Sequence, residues 1–221
     1  MSQNRKPLIK NIYIFSGLGA DERMFQKIDF RNHSVTYIRW ISPDKDELIE
    51  NYVKRLLVQI PTEQPVLIGL SFGGMVAIEL AKQIKTEKVI IIASAKTKNE
   101  IPFYYRWIGR VGLNYILPIS LLKHSNFVTN WLFGAKANSE KQLLKSILSE
   151  TDSAFLMWAI GKIVAWENIT SVNNVFHIHG TSDRILPFRF VTCDYIIENG
   201  NHFMTLNKAG EVSEIINEIL K

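Results

Sequence analysis

Short apolar runs alternate with stretches of helical periodicity along this 221-residue chain, and that alternation restricts the fold more than any other feature. The apolar runs are rich in β-branched residues and lack strict polar–apolar alternation, which is typical of strands buried on both faces. Strands of this kind, separated by helices, predict an α/β fold with a mostly parallel sheet of about six strands flanked by helices. The predicted strands are Ile12 to Phe15, Val35 to Trp40, Pro65 to Leu70, Val89 to Ala93, Val175 to His179 and Thr192 to Ile197. The predicted helices are Asp44 to Ile60, Phe72 to Ile84, Lys141 to Leu148, Ala154 to Trp166 and Ala209 to Leu220.

One pentapeptide, Gly69-Leu70-Ser71-Phe72-Gly73, matches the pattern G-x-S-x-G where the third predicted strand passes into a helix. A sharp turn at that junction lifts the serine hydroxyl above the carboxyl edge of the sheet. The two glycines relieve crowding between strand and helix. The N–H of Phe72, at the start of the helix, can donate to a developing oxyanion. Ser71 is therefore the predicted nucleophile, and a structural turn serine is the alternative.

A serine nucleophile needs a base, and five histidines compete for that role. His33 precedes the second strand and is expected at the surface, and His124 lies in a segment without strands. His177 and His179 alternate within a strand, where a buried histidine with satisfied hydrogen bonds is the better interpretation. His202 follows the last strand in a loop at the same sheet edge as Ser71, so it is the predicted base.

The acid that orients the base should also leave the carboxyl end of a strand. Asp183 does so, directly after the fifth strand. Asp194 lies inside a predicted strand and is less well placed, while Glu100 is the reserve candidate. An aspartate that caps a turn is the structural alternative for Asp183. The predicted triad then follows the chain order Ser71, Asp183, His202, the order expected for one hydrolase fold.

These motifs resemble those of the α/β-hydrolases, and the resemblance covers nearly the whole chain. Its most specific pieces are Gly69 to Gly74, Gly180 to Pro187, Gly200 to Met204 and Ser16 to Gly19. The resemblance implies that the backbone N–H of Leu18 completes an oxyanion hole with that of Phe72. Ser16 replaces the usual histidine of the family. Two strands that often begin this fold are missing before Asn11, which predicts an N-terminally trimmed sheet.

Residues 95–170 break the alternation, because they contain helical patterns and no convincing strand. We interpret them as a helical cap inserted into a hydrolase core formed by residues 1–94 and 171–221. The segment holds 11 of the 24 Phe, Trp and Tyr residues. We predict an apolar acyl pocket lined by the cap, the alternative being that its aromatic rings pack helices onto the sheet. The predicted substrate-binding residues are Phe103, Trp107, Trp131 and Trp158, with Tyr104 and Phe155 as further lining residues.

The cap is also basic, since no acidic residue lies between Glu100 and Glu140. Three interpretations are open. The segment could attract an anionic substrate, lie in an anionic lipid interface, or be an ordinary lid with solvated cations. We prefer the first over the second, because four cations over this length are few for stable membrane binding. The cations are Arg106, Arg110, Lys123 and Lys136.

The leading functional prediction is a serine hydrolase of small carboxylic esters or thioesters that forms an acyl-serine intermediate. One alternative is a C–C hydrolase or lyase that uses the same triad, and another is a non-catalytic ligand-binding homologue. No cofactor or metal is expected, and Cys193 alone cannot form an internal disulfide or a cysteine-rich zinc site.

Other classes of function are disfavoured by charge and hydropathy. The net charge is +5, and no cluster of Lys and Arg resembles a nucleic-acid motif, so no nucleic-acid partner is expected. The N-terminal region lacks the apolar stretch of a signal peptide, and no segment approaches the roughly 20 apolar residues of a membrane span. A cytoplasmic protein without stable membrane association is the expectation.

Overall fold

The computed structural model describes residues 9–110 and 126–221. The predicted features at Lys123 and His124 lie outside these residues. The sheet has six strands, all parallel, in the order β2-β1-β3-β4-β5-β6. This confirms the predicted fold class. The strands are β1 Asn11–Phe15, β2 Ser34–Tyr37, β3 Val66–Leu70, β4 Lys88–Ile92, β5 Val175–Gly180 and β6 Tyr195–Ile197.

Helices connect the strands and cover both faces of the sheet. Among the described residues, four helices lie between β4 and β5, where the helical cap is predicted. The helices are α1 Ile49–Leu56, α2 Phe72–Ala81, α3 Phe103–Arg110, α4 Phe127–Phe133, α5 Asn138–Glu150, α6 Ser153–Val164, α7 Met204–Asn207 and α8 Ala209–Ile219.

Successive strand residues point to opposite faces, and each face supports its own apolar cluster. On one side Ile12 and Ile14 of β1 pack in a cluster that includes α8. On the other side Tyr13 and Phe15 pack in a cluster that includes α1 and α2. Leu67 of β3 is fully buried on the second side, as expected for a strand in the middle of a parallel sheet.

Several element boundaries differ from the sequence expectation, and side chains explain two of them. The helix predicted from Asp44 begins at Ile49, because Glu47 turns back and accepts a hydrogen bond from the Asp44 N–H at 2.9 Å. The strand predicted from Thr192 begins at Tyr195. The Asp194 carboxylate accepts from the N–H of His177 at 2.8 Å and so occupies a donor that a neighbouring strand would use. Asp194 therefore precedes the strand.

Two of the described helices between β4 and β5 begin at polar side-chain caps. The Asn126 side chain accepts from the N–H of Thr129 at 3.0 Å at the start of α4, and α4 ends at Gly134 with φ 75°. The Asp152 side chain accepts from the N–H of Phe155 at 2.7 Å and begins α6. Within the described ranges, no helix combines the length and apolarity needed to cross a bilayer.

Candidate active site

The strand order creates a crevice at the carboxyl edge of the sheet. The chain passes from β1 outward to β2 and then returns to β3 on the other side of β1. Such a switch point separates the loops that follow the two central strands, and ligands of open α/β sheets bind there. The loop after β1 runs beside Ser71, since a Cβ atom built on Gly17 would lie 3.5 Å from the Ser71 Cβ.

Ser71 occupies the predicted strand-to-helix turn. Its backbone has φ 54° and ψ −122°, a conformation that costs a non-glycine residue energy. The Ser71 N–H donates to the Ile92 carbonyl at 2.9 Å, which holds the turn against β4. Gly73 is required by a close backbone approach, because a Cβ atom there would lie 2.2 Å from the Phe15 carbonyl oxygen. The turn thus fixes Ser71 at the crevice.

The structure brings the three predicted triad side chains into hydrogen-bond contact. His202 Nε2 lies 2.9 Å from Ser71 Oγ, and His202 Nδ1 lies 2.8 Å from Asp183 Oδ2. Both distances are within the range for a nucleophile, its base and the group that orients the base. His202 is 4% exposed and Asp183 is 4% exposed, so the pair is shielded while Ser71 faces the crevice.

The Asp183 carboxylate is held by its own loop. Its Oδ1 accepts from the backbone N–H groups of Ile185 and Leu186, both at 2.9 Å, and its Oδ2 accepts from His202. Burial alone would raise the pKa of this carboxyl. The charge and hydrogen bond of His202, with smaller contributions from His179 and the Leu186 N–H, hold that pKa below its usual range. Asp183 is therefore kept as the anion that an imidazolium requires.

Neither alternative acid contacts His202 in this arrangement. The buried Glu100 carboxylate accepts from the backbone N–H groups of Lys96 at 2.6 Å and Thr192 at 3.1 Å. Burial raises the pKa of Glu100, and these two hydrogen bonds oppose the rise. Asp194 binds the His177 N–H, as described above. Both carboxylates therefore bind backbone N–H groups, and neither orients His202.

The resemblance assigns an oxyanion hole to the N–H groups of Leu18 and Phe72, and both residues lie near Ser71. Phe72 is the first residue of α2, so its N–H has no acceptor within the helix. Leu18 follows Gly17 in the loop beside Ser71. Ser16, at the position of the family's usual histidine, is buried and donates from Oγ to the Ala20 carbonyl at 2.5 Å. A side chain thus ties the two ends of this loop together.

A cavity of about 230 Å³ opens beside Ser71 and His202. The β1 loop contributes Gly17 and Leu18, and half of the lining comes from the helices between β4 and β5. No Asp, Glu, Lys or Arg is among the described lining residues. The lining residues from these helices are Thr129, Leu132, Phe133, Leu144, Ile147, Leu148, Leu156, Ile160 and Ile163.

The four aromatic residues predicted to bind substrate are not among the described residues that line this cavity. Phe103 and Trp107 are 66% and 60% exposed, and they line a separate surface groove together with Tyr104 and Arg106. Trp131 is 51% exposed, with its ring under the Arg184 guanidinium at 4.5 Å. These three side chains face solvent rather than the cavity.

Trp158 and Phe155 point into the core rather than the cavity. The Trp158 ring packs on Tyr52 with centroids 4.4 Å apart, and its Nε1 donates to the Glu47 carbonyl at 2.9 Å. Phe155 packs against Phe72 at 6.2 Å. The alternative that cap aromatics attach helices to the sheet applies to these two residues.

Sequence reasoning also missed one aromatic contact at the site. The Phe133 ring lies edge-on to the His202 ring, with centroids 5.6 Å apart, and also lines the cavity. The loop of His202 is joined to the same helix, because Asn201 Nδ2 donates to the Gly134 carbonyl at 3.0 Å. In the sequence, Phe133 stands out only because Gly134 follows it and can end a helix. That pattern does not reveal which ring Phe133 contacts.

The remaining described histidines stand apart from Ser71. His33 is half-buried, and its Nδ1 accepts from the Lys10 N–H at 3.2 Å. His177 and His179 are fully buried, as expected for core histidines. Within residues 9–110 and 126–221, no group of three His, Cys, Asp or Glu side chains is placed to hold a metal ion.

Comparison with known proteins finds similarity in structure and not in sequence. No family model and no curated protein matches the chain. An enol-lactonase from Burkholderia xenovorans LB400 superposes with a TM-score of 0.69 at 15% identity, covering 98% of this chain and 93% of that one. A hydrolase from Pseudomonas aeruginosa PA01 gives 0.74 at 13% identity, covering 96% and 90%. An esterase from Exiguobacterium antarcticum gives 0.66 at 13% identity, covering 96% and 91%. The chain has the α/β-hydrolase fold.

Proposed function

We propose that this chain is a serine hydrolase of small carboxylic esters or thioesters with an uncharged, aliphatic acyl group. One observation carries the proposal: Asp183, His202 and Ser71 form an unbroken hydrogen-bonded series that ends at an apolar cavity. The series supplies a nucleophile, a base and an orienting acid, which are the groups that acyl transfer through serine requires.

In the proposed mechanism, Ser71 Oγ attacks the acyl carbon while His202 Nε2 takes the hydroxyl proton. Asp183 holds the tautomer of His202 with a proton on Nδ1 and stabilises the imidazolium that forms. The N–H groups of Leu18 and Phe72 bind the oxyanion. His202 then protonates the leaving alcohol or thiol, and water, activated by His202, cleaves the acyl-Ser71 bond to release the acid.

The cavity lining supports the acyl class. Its walls are apolar and mostly aliphatic side chains, and Thr129 is the one polar side chain among the described lining residues besides Ser71 and His202. Placing a carboxylate there without a partner would be costly. The volume of about 230 Å³ is below the range of drug-sized ligand sites, which favours a small acyl group. An anionic substrate would therefore carry its charge on the leaving group.

We further propose that residues 95–170 act as the cap of a core formed by residues 1–94 and 171–221. The helices of this segment supply half of the cavity lining, so substrate would be held between the two parts. We also propose that the basic side chains of the cap attract an anionic leaving group. Arg106 lines the surface groove next to Trp107, outside the described lining of the cavity.

The test is hydrolysis of p-nitrophenyl and CoA esters from acetyl to octanoyl by the wild-type chain and by Ser71→Ala. We expect kcat/KM to rise about fourfold per CH₂ until the cavity is full. Ser71→Ala should lower kcat by on the order of 10⁴–10⁶. A tenth of wild-type activity in folded Ser71→Ala would reject the nucleophile.

Other results of the same panel favour the alternatives. A series that is flat from acetyl to octanoyl would reject the acyl pocket. Tight binding without turnover of any ester would favour the non-catalytic homologue. Ser71-dependent cleavage of a C–C substrate, with no ester hydrolysis, would favour the C–C hydrolase or lyase.

A further inference from the structure

Two buried histidines lie behind Asp183, and the proposed mechanism does not use them. His177 and His179 are two residues apart on β5, so both rings project from the same face of the strand. Both are 0% exposed. A buried imidazole is stable only if its polar ring nitrogens have hydrogen-bond partners, so the contacts of this pair restrict where its two protons lie.

The pair forms a chain of three contacts between two carbonyl groups. His179 Nε2 lies 2.8 Å from the Leu186 oxygen, and His179 Nδ1 lies 3.1 Å from His177 Nε2. His177 Nδ1 lies 3.3 Å from the Thr192 oxygen. A carbonyl can only accept, so the shortest contact requires the proton of His179 on Nε2. His179 Nδ1 is then an acceptor for the Nε2–H of His177.

This assignment uses every proton that two neutral rings carry. The contact with Thr192 is left without one, and it is the longest of the three. Burial lowers the pKa of His177 to about 3, and it lowers the pKa of His179 more than Asp183 raises it. The pair is therefore neutral near pH 7 and adds no cation that would compete with His202 for Asp183.

The chain ends on the loop that holds Asp183. The same Leu186 that accepts from His179 donates its own N–H to Asp183 Oδ1 at 2.9 Å. His179 Nε2 also lies 3.8 Å from Asp183 Oδ2, the oxygen that accepts from His202. His179 thus holds Leu186, the residue whose N–H donates to Asp183 Oδ1, and places its own Nε2–H dipole near Asp183 Oδ2.

We propose that His179 is a positioning residue for Asp183, with His177 holding His179 in the required tautomer. The inference rests on the proposed function, because the position of Asp183 affects a rate only if His202 and Ser71 react. Its effect should fall on kcat rather than KM, since neither histidine is among the described residues that line the cavity. Removing the His179 contact should also change the hydrogen bond between Asp183 and His202. A purely structural role of His179 would leave that hydrogen bond unchanged.

The test compares His179→Leu, which removes the Nε2 donor, with His179→Gln, whose amide can donate from a similar position. We expect His179→Leu to lower kcat about 10- to 100-fold, the usual size of such supporting hydrogen bonds. KM should change little. The low-field proton NMR signal of the His202 Nδ1–H should shift or disappear. His179→Gln should restore most of both quantities.

Ile178→Val is the matched control, since Ile178 is a fully buried neighbour on the opposite face of β5. It should lower Tm without changing kcat or the NMR signal. A folded His179→Leu with wild-type kcat and signal would overturn the inference, as would a His179→Gln as impaired as His179→Leu. If neither variant folds, His177→Leu and His177→Gln replace them, and wild-type kcat and signal in His177→Leu would overturn it.

These outcomes separate the inference from the proposed function. Wild-type activity that disappears in Ser71→Ala but persists in His179→Leu removes only the inference. Activity that persists in Ser71→Ala rejects the proposed function itself.

Discussion

The edge of the sheet and the helices between β4 and β5 contribute to one site in different ways. At the sheet edge, backbone geometry fixes each side chain: a strained turn holds Ser71, and two N–H groups hold Asp183. The helices contribute mostly aliphatic side chains to the cavity lining, and the face that each helix turns inward determines which residues these are. A motif that dictates backbone geometry can therefore be located from the sequence, whereas a helix face cannot.

The sharpest way to test the sheet edge is Asp183→Asn. The amide should leave His202 near Ser71 but in the wrong tautomer, with a loss of about 10⁴ in kcat by analogy with the serine protease triad. Steady-state kinetics with an ester substrate measures this loss.

Glu100→Gln is the matched control, because Glu100 is also a buried carboxylate that accepts from two backbone N–H groups. It should cost stability and leave kcat near the wild-type value. A large kcat loss in Glu100→Gln with little in Asp183→Asn would move the acid to the loop after β4.

The helix wall is tested by filling the cavity. Ile160→Phe, on the half-buried part of α6 that lines the cavity, should shorten the preferred acyl chain. Each CH₂ that no longer fits should lower kcat/KM about fourfold, while acetyl ester hydrolysis stays unchanged. The acyl series of p-nitrophenyl esters measures the shift.

Met157→Phe, on the same helix but outside the described lining, should leave the acyl preference unchanged. Trp131→Ala should do the same, since that ring is 51% exposed. An altered acyl preference in Trp131→Ala, with none in Ile160→Phe, would restore the aromatic cap as the substrate-binding surface.

The same contrast explains how far the sequence could predict the fold. Apolar runs and helical periodicity predict the six strands and five of the eight described helices, because burial on both faces leaves a strong pattern. The predicted start of β6 is wrong because a side chain takes a backbone hydrogen bond: the Asp194 carboxylate accepts from the His177 N–H. Short-range periodicity does not contain that contact.

The candidate site divides in the same way. Ser71, Asp183 and His202 were predicted because each follows a strand, and parallel strands end at one edge. Phe103, Trp107, Trp131 and Trp158 were chosen for aromatic area alone, and the helices instead turn residues such as Leu144 inward. The histidine pair was recognised as buried, but its contact with the Leu186 loop depends on tertiary structure.

The smallest expected effect concerns stability rather than rate. His177 has a folded-state pKa of about 3 against an ordinary value of 6.5, so the unfolded chain binds more protons between these values. The free energy of unfolding should therefore fall by about 1.4 kcal/mol per pH unit per such histidine as pH decreases through this window. The lowered pKa of Asp183 also makes the free energy of unfolding fall as pH decreases, but only below pH 3.8, the ordinary pKa of this carboxyl.

Urea denaturation at pH 6, 5.5 and 5 measures this slope. His177→Leu should have a smaller slope than the wild-type chain, because one buried neutral histidine is gone. Equal slopes in the two proteins would show that His177 is not kept neutral by the fold.

The most direct test of the central claim, that His202 and Asp183 make Ser71 a nucleophile, is covalent labelling. A fluorophosphonate reacts when an activated serine oxygen displaces fluoride from phosphorus. The tryptic peptide from Leu56 to Lys82 contains Ser71 as its only serine, so mass spectrometry can assign the adduct. We expect stoichiometric labelling of this peptide in the wild-type chain and labelling slower by on the order of 10³-fold or more in His202→Ala. An unlabelled Ser71, or equal labelling in both proteins, would contradict the account.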